Sequence, residues 1–89
     1  MPAFQDTYGW IAHRLGNHDE ALHYLKPAAA SLPDDASVQY HLAAAYAALG
    51  QDPLALAQFR AVEAMVDRAN PPPFMADLTA ELARLGAKN

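Results

Sequence analysis

The 89-residue chain contains no cysteine, which excludes disulfide bonds, thiolate metal ligands and cysteine nucleophiles. No apolar run approaches the roughly 18 residues that a membrane-spanning helix needs. Positive charge is also scarce, because six Lys and Arg stand against ten Asp and Glu, for a net charge of −4, and no basic cluster occurs. We therefore expect a soluble domain whose partners are neither nucleic acid nor a membrane.

The apolar residues that are present are mostly small. They make up 53% of the chain, and alanine supplies much of this share. Because alanine is the best helix former and fills little volume, the composition favours closely packed helices over a deep core. A chain of this length suffices for one small domain.

One stretch of the sequence occurs almost twice. LGNHDEAL at residues 15–22 returns 34 positions later as LGQDPLAL at residues 49–56, and the same shift aligns Tyr8 with Leu42. Self-similarity at a fixed period of this size indicates stacked repeats, in which no unit buries its own apolar face alone.

The periodicity within each unit is helical. Apolar residues such as Val38, Leu42 and Ala45 recur at spacings of three and four, and Gly16 and Gly50 separate the apolar runs as helix stops do. We predict five helices, near residues 3–15, 18–31, 36–49, 53–68 and 73–86.

Several helix starts carry capping signals. The candidate caps are Asn17 with Glu20 in capping-box spacing, Asp34 or Asp35, and Asp52 ahead of Pro53. Pro27 lies inside the second predicted helix, and its missing N–H predicts a kink near residues 23–27 or early fraying. After the prolines at 71–73 the repeat slips register, and a single apolar stripe predicts a last helix that closes the open end of the stack.

The 34-residue unit carries small and aromatic residues at matching places. The first unit has Tyr8-Gly9, Ala21 with Leu25, and Pro33, and the second has Leu42-Ala43, Tyr46, and Ala55 with Phe59. This pattern resembles the tetratricopeptide repeat, whose signature is Trp-x-x-Leu-Gly-x-x-Tyr, then Ala-x-x-x-Phe, then Pro. The departures are Gln5 and Gln39 at the tryptophan position, Ala12 at the tyrosine and Asp67 at the last proline.

The resemblance implies an all-α fold, a right-handed α-solenoid of antiparallel helix pairs with five helices. The whole chain, residues 1–89, would be one domain. Its parts would be a first repeat at about residues 2–35, a second at about 36–69 and a capping helix at about 73–86. Gly9, Ala43, Ala21 and Ala55 are expected to be small because the two helices of each pair cross there.

The resemblance also implies a groove lined by the first helix of each pair. The residues expected to face it are Asp6, Thr7, Trp10, His13, Arg14, Tyr40, His41, Ala44, Ala47 and Ala48. Trp10 has two interpretations: it packs against Tyr40, His41 or Ala44 of the next repeat, or it anchors a ligand. His13, Arg14 and His41 could likewise be solvated surface or a weakly basic patch that suits a carboxylate.

Metal binding and catalysis are not expected. His13, His18 and His23 are spaced by five, whereas two histidines that share a metal on one helix need a spacing of four. The sequence has no nucleophile next to a base, no phosphate-binding glycine loop and no paired carboxylates. We expect neither an enzyme nor a bound cofactor.

The sequence therefore predicts a non-catalytic interaction module that binds a protein or peptide, as a peptide or partner helix, in its groove. The expected contact residues are Asp6, Trp10, His13, Arg14, Tyr40 and His41. The alternative is a structural segment that ends a longer solenoid or self-assembles. We also expect the chain to be the C-terminal part of a longer repeat protein, and to form a homodimer through the N-terminal helix, with Phe4 and Ile11 as its apolar members.

Overall fold

A computed structural model describes residues 1–88, and within them the chain forms α-helices joined by short turns. The helices are α1 (Pro2–Arg14), α2 (His18–Ser31), α3 (Ala36–Ala48), α4 (Asp52–Met65) and α5 (Met75–Gly86). Each packs on the next along the chain, so α1 with α2 and α3 with α4 form the two pairs and α5 covers α4. The predicted all-helical solenoid of five helices is confirmed for this part of the chain.

The turns that join the two helices of each pair have the same conformation. Gly16 and Gly50 both have positive φ, 86° and 72°, a conformation that glycine adopts without strain. The residue after each glycine donates its N–H five residues back, from Asn17 to Ala12 at 2.9 Å and from Gln51 to Tyr46 at 3.0 Å. These are the bonds of a Schellman helix end, and they confirm both glycines as helix stops.

The predicted caps are only partly right. Asp35 accepts a hydrogen bond from the Val38 N–H at 3.2 Å and caps α3. The capping box at α2 is wrong, because Asn17 makes no cap bond and Glu20 instead accepts from the Tyr8 hydroxyl at 2.7 Å. At α4 the N-cap is Gln51, so Asp52 is the first helical residue.

Two predictions about helix interiors and ends are resolved differently. Helix α2 continues past Pro27 to Ser31, as its predicted span requires, which excludes early fraying and leaves the kink as a prediction. The predicted end of α4 is wrong. Helix α4 ends at Met65 and not at residue 68, since Val66 is already extended with ψ of 148°. Asp67 then accepts from the Ala69 N–H at 2.9 Å, a local turn that competes with the helix.

The apolar interior consists of two adjoining clusters. The first lies among α1, α2 and α3, and the second among α3, α4 and α5, where Phe59, Leu78 and Leu85 are buried. The crossing within the first pair is close: a Cβ on Gly9 would lie 2.7 Å from Leu25 Cγ and 3.2 Å from the Ala21 carbonyl oxygen. This explains why position 9 carries no side chain.

The helices are short. The longest of residues 1–88 have 14 residues each, and none in this range has the length and apolar character that crossing a bilayer requires.

Candidate functional site

Helices α1, α3 and α5 lie side by side and border two adjoining surface hollows, which together we call the groove. The first hollow has a volume of about 440 Å³ and is lined by His13, Tyr40, Ala44, Ala47, Ala48, Phe59, Asp77, Ala80, Glu81 and Arg84. The second, of about 360 Å³, is lined by Trp10, Ser37, Tyr40, His41, Pro73, Phe74 and Asp77. Tyr40 and Asp77 border both hollows, so the two form one continuous surface.

Trp10 lies at one wall of the groove between two histidine rings. Its indole is stacked on His41 at 4.1 Å and on His13 at 4.9 Å between ring centroids, each tilted by 19°. The Tyr40 ring is 6.2 Å away. Trp10 therefore makes the inter-repeat contact expected from packing, and it is half-buried while still lining the second hollow.

An ion-pair geometry between α1 and α3 holds this wall in place. His41 Nδ1 lies 2.8 Å from Asp6 Oδ1, and both side chains are largely buried. Asp6 itself does not line either hollow. The Asp6 carboxylate holds the His41 imidazole in position, and the face of this imidazole stacks on Trp10.

His13 and His18 are in direct contact, although their spacing of five is not that of two metal ligands on one helix. Their Nδ1 atoms are 3.0 Å apart, a hydrogen bond in which one ring donates and the other accepts. His13 lies in the last turn of α1 and His18 begins α2 after the turn at Gly16, so the two rings approach each other from different helices. Within residues 1–88, no three His, Cys, Asp or Glu side chains are grouped as a metal site requires.

The charge of the predicted basic patch is smaller than its residues suggest. Burial lowers the pKa of His13, and the neighbouring His18, His41 and Arg14 lower it further. His13 is therefore uncharged at neutral pH, and His41 is paired with Asp6. Arg14 is exposed and lies outside both hollows, and an arginine side chain is always protonated in proteins.

Helix α5 adds an acidic and aromatic wall that the sequence did not reveal. Phe74 stacks on Tyr40 at 4.4 Å between centroids. Burial raises the pKa of Tyr40, and the carboxylates of Asp77 and Glu81 raise it further. Glu81 accepts two hydrogen bonds from Arg84, at 2.9 and 2.8 Å, which lower its own pKa.

These α5 residues lacked a usable sequence signal. The 34-residue shift places Phe74 on Tyr40, and this match of two aromatic residues could have indicated a shared face. The slip of the stop glycine, from 34 residues to 36 between Gly50 and Gly86, concealed it. Without that match, the polar residues of α5 are typical of a solvated helix face and not of a groove wall.

Stacked helix pairs with side chains of alternate helices converging on one groove define a helical-repeat protein. The tetratricopeptide repeat family model matches residues 12–72, which is more than half of the chain. The protein belongs to the tetratricopeptide repeat family. Repeats of this family are generally non-catalytic and serve protein–protein interaction. No curated protein and no solved structure matches the chain.

Proposed function

We propose that the protein is a non-catalytic module that binds a peptide or a partner helix in the groove. The observation that carries the proposal is the convergence of Trp10 from α1 and Phe74 from the start of α5 on the buried Tyr40 of α3, where all three border the second hollow. Aromatic side chains bury a large area with few rotatable bonds, and tryptophan and tyrosine are enriched among the residues that dominate binding energy.

The proposed contact set extends the aromatic residues with polar ones. On the α1 and α3 side, the proposed contacts are Trp10, His13, Tyr40 and His41, which line the hollows, with Arg14 outside them and Asp6 acting through His41. The carboxylate of Asp77, which borders both hollows, suits a basic group of the ligand, while Arg14, exposed at the end of α1 and outside the hollows, suits an acidic one. A groove formed by three short helices covers a small area, so we expect micromolar affinity or weaker.

A peptide library displayed on phage and panned on the protein tests this proposal. Enriched peptides are then titrated against the wild type, Trp10→Ala, Arg14→Ala and Ala48→Glu, which adds a charged side chain to the first hollow without touching the interior. The matched control is Leu54→Ala, since Leu54 is an exposed apolar residue on α4, away from the groove.

We expect Trp10→Ala and Ala48→Glu to weaken binding at least tenfold, Arg14→Ala to weaken it less, and Leu54→Ala to leave it unchanged. Because Trp10 is half-buried, thermal melting of each variant verifies that the fold is retained. Enriched peptides whose affinity is the same for Ala48→Glu as for the wild type would contradict binding in the groove.

The second candidate function is structural, as the end of a longer solenoid. The supporting observation is that α5 covers α4, with Leu78 and Leu85 buried in the second cluster. In this reading residues 73–86 are a capping helix and further repeats precede residue 1. The gene sequence upstream tests it, and the absence of repeat-coding sequence there would exclude it.

A further inference from the structure

The side of α1 that faces away from the groove carries a stripe of exposed apolar side chains. The α1 stripe consists of Phe4, Tyr8, Ile11 and Leu15, whose relative exposures are 71%, 43%, 54% and 72%. With 3.6 residues per turn, these four side chains project from one side of the helix, roughly opposite to Trp10 and His13. A contiguous apolar surface of this kind marks an interaction site.

The equivalent side of α3, in the second repeat, is buried against another helix. Thirty-four residues later, the positions of Phe4, Tyr8 and Ile11 are occupied by Val38, Leu42 and Ala45. Those residues are only 3%, 7% and 0% exposed because they pack against α2 in the first cluster. The α1 stripe is thus the equivalent of an internal helix–helix interface, exposed within residues 1–88.

We propose that two copies of this chain associate through an antiparallel pairing of their α1 stripes. The spacings of four, three and four residues are those of heptad positions d, a, d and a, which form a seam between paired helices. The polar group within the stripe is the Tyr8 hydroxyl, which is already satisfied by Glu20 at 2.7 Å. The remaining side chains of the stripe are apolar, and such a patch can cover itself about a two-fold axis.

The size of the side chains in the α1 stripe favours a second copy of α1 as the binding partner over a helix that resembles α2. Phe4 and Ile11 are bulkier than their equivalents Val38 and Ala45, so an alanine-rich helix could not approach α1 as closely as α2 approaches α3. The opposite end of the molecule is covered by α5, which leaves α4 unavailable for head-to-tail stacking on α1 of another copy.

The antiparallel direction follows from the residues that would meet. It sets Phe4 against Leu15 of the other copy and Tyr8 against Ile11, so that large and smaller side chains interdigitate. The antiparallel arrangement also aligns the two helix dipoles in opposite directions and separates the two Arg14 side chains. In a parallel pair the two Arg14 side chains would lie next to each other and repel.

The available area fits a weak dimer. Met1, which is 92% exposed, adjoins the stripe. With about 200 Å² for a large apolar side chain, the stripe and Met1 together offer roughly 650 Å² per copy, near the lower limit for specific association. Since the groove lies on the other side of α1, dimerisation and peptide binding are independent, and either can fail without the other.

Sedimentation equilibrium of the wild type, Ile11→Asp and the control Leu54→Asp tests the proposal. Both variants place a carboxylate at an exposed apolar helix position, but only Ile11 belongs to the stripe. We expect the wild type and Leu54→Asp to reach twice the monomer mass with a midpoint in the micromolar range, and Ile11→Asp to remain monomeric. A monomeric wild type at several hundred micromolar, or an Ile11→Asp variant that dimerises like the wild type, would overturn it.

Crosslinking tests the direction, because the chain has no cysteine of its own. A rise of about 1.5 Å per residue and a distance of about 8–10 Å between helix axes give the expected separations in the antiparallel pair. Position 8 of one copy lies about 10 Å from position 8 of the other copy, and the two positions 15 lie on the order of 20 Å apart. A short bismaleimide should therefore couple Tyr8→Cys but not Leu15→Cys. Equal coupling of both variants would exclude the antiparallel arrangement.

Discussion

Stability should be sensitive to the addition of a single methyl group at position 9. A methyl group there would meet Leu25 Cγ at 2.7 Å, and overpacking of this kind costs about 1–3 kcal/mol. Alanine would also recover about 0.5–1 kcal/mol of helix propensity. We expect Gly9→Ala to lose about 1 kcal/mol of unfolding free energy, and to melt roughly 4–8 °C lower, as measured by circular dichroism.

Gly86 provides the matched control for this substitution. It is also helical, but nothing lies within 4 Å of the place where its Cβ would be. Gly86→Ala should therefore be neutral or slightly stabilising. If the two variants melted at the same temperature, the close approach of α1 and α2 at Gly9 would be misplaced.

The role of a single residue could be predicted from the sequence where both repeats carry the same kind of residue at the equivalent position. Gly9 and Ala43 occupy one position of the 34-residue pattern, and both are buried at a helix crossing. The contact between His13 and His18 was not predictable in this way. It depends on how the turn at Gly16 returns the chain, which helical spacing alone does not describe.

At the scale of the helices, Gln39 joins three elements. Its Nε2 donates to the Ala29 carbonyl at 2.9 Å and to the Leu32 carbonyl at 3.0 Å, both at the end of α2. The residue four positions after Ala29 is Pro33, which has no N–H to offer this carbonyl. Gln39 supplies the missing donor and also accepts from Gln58 of α4.

Removing this amide should weaken the packing of α3 on α2. Gln39→Leu leaves the buried Ala29 carbonyl without a donor, whereas the Leu32 carbonyl keeps the Asp35 N–H at 3.1 Å. An unsatisfied buried group costs about 1–3 kcal/mol, so we expect about 2 kcal/mol of destabilisation in a urea titration. The control is Gln5→Leu, the same position one repeat earlier, where no preceding helix end is present within residues 1–88. Equal effects of the two substitutions would show that the bonds of Gln39 contribute little.

The elements themselves were well predicted, with two informative exceptions. Helix α4 was expected to reach residue 68 because Met65 and Val66 continue its apolar period, but the turn at Asp67 ends it earlier. The role of α5 in the groove was missed because its register differs from the repeat. Periodicity thus identified the helices, while their ends and shared faces depended on local hydrogen bonds and on tertiary packing.

For the molecule as a whole, His13 connects stability to pH. Burial lowers the pKa of His13 in the folded chain, so below the ordinary histidine pKa of about 6.5 the unfolded chain binds more protons than the folded one. The contribution of His13 is complete above that pKa and is lost as the pH falls through the lowered folded value. We expect the unfolding free energy to decrease from pH 7.5 to 5.5.

Urea titrations across this pH range provide the measurement. His13→Gln should flatten the dependence, whereas His23→Gln, at an exposed position of α2, should retain it. A wild-type stability that is constant between pH 7.5 and 5.5 would mean that the His13 ring is more accessible to water than its packing against Trp10 indicates.

Amide chemical-shift mapping with an enriched peptide tests the proposed binding groove most directly. On addition of the peptide to the 15N-labelled protein, the account predicts perturbations along one side of α1 and α3 and at the start of α5, including Trp10, Tyr40 and Phe74. The amides of α2 and of the Leu54 side of α4 should not change. Perturbations concentrated on α2 and α4, with Trp10 and Tyr40 unaffected, would contradict binding in the groove.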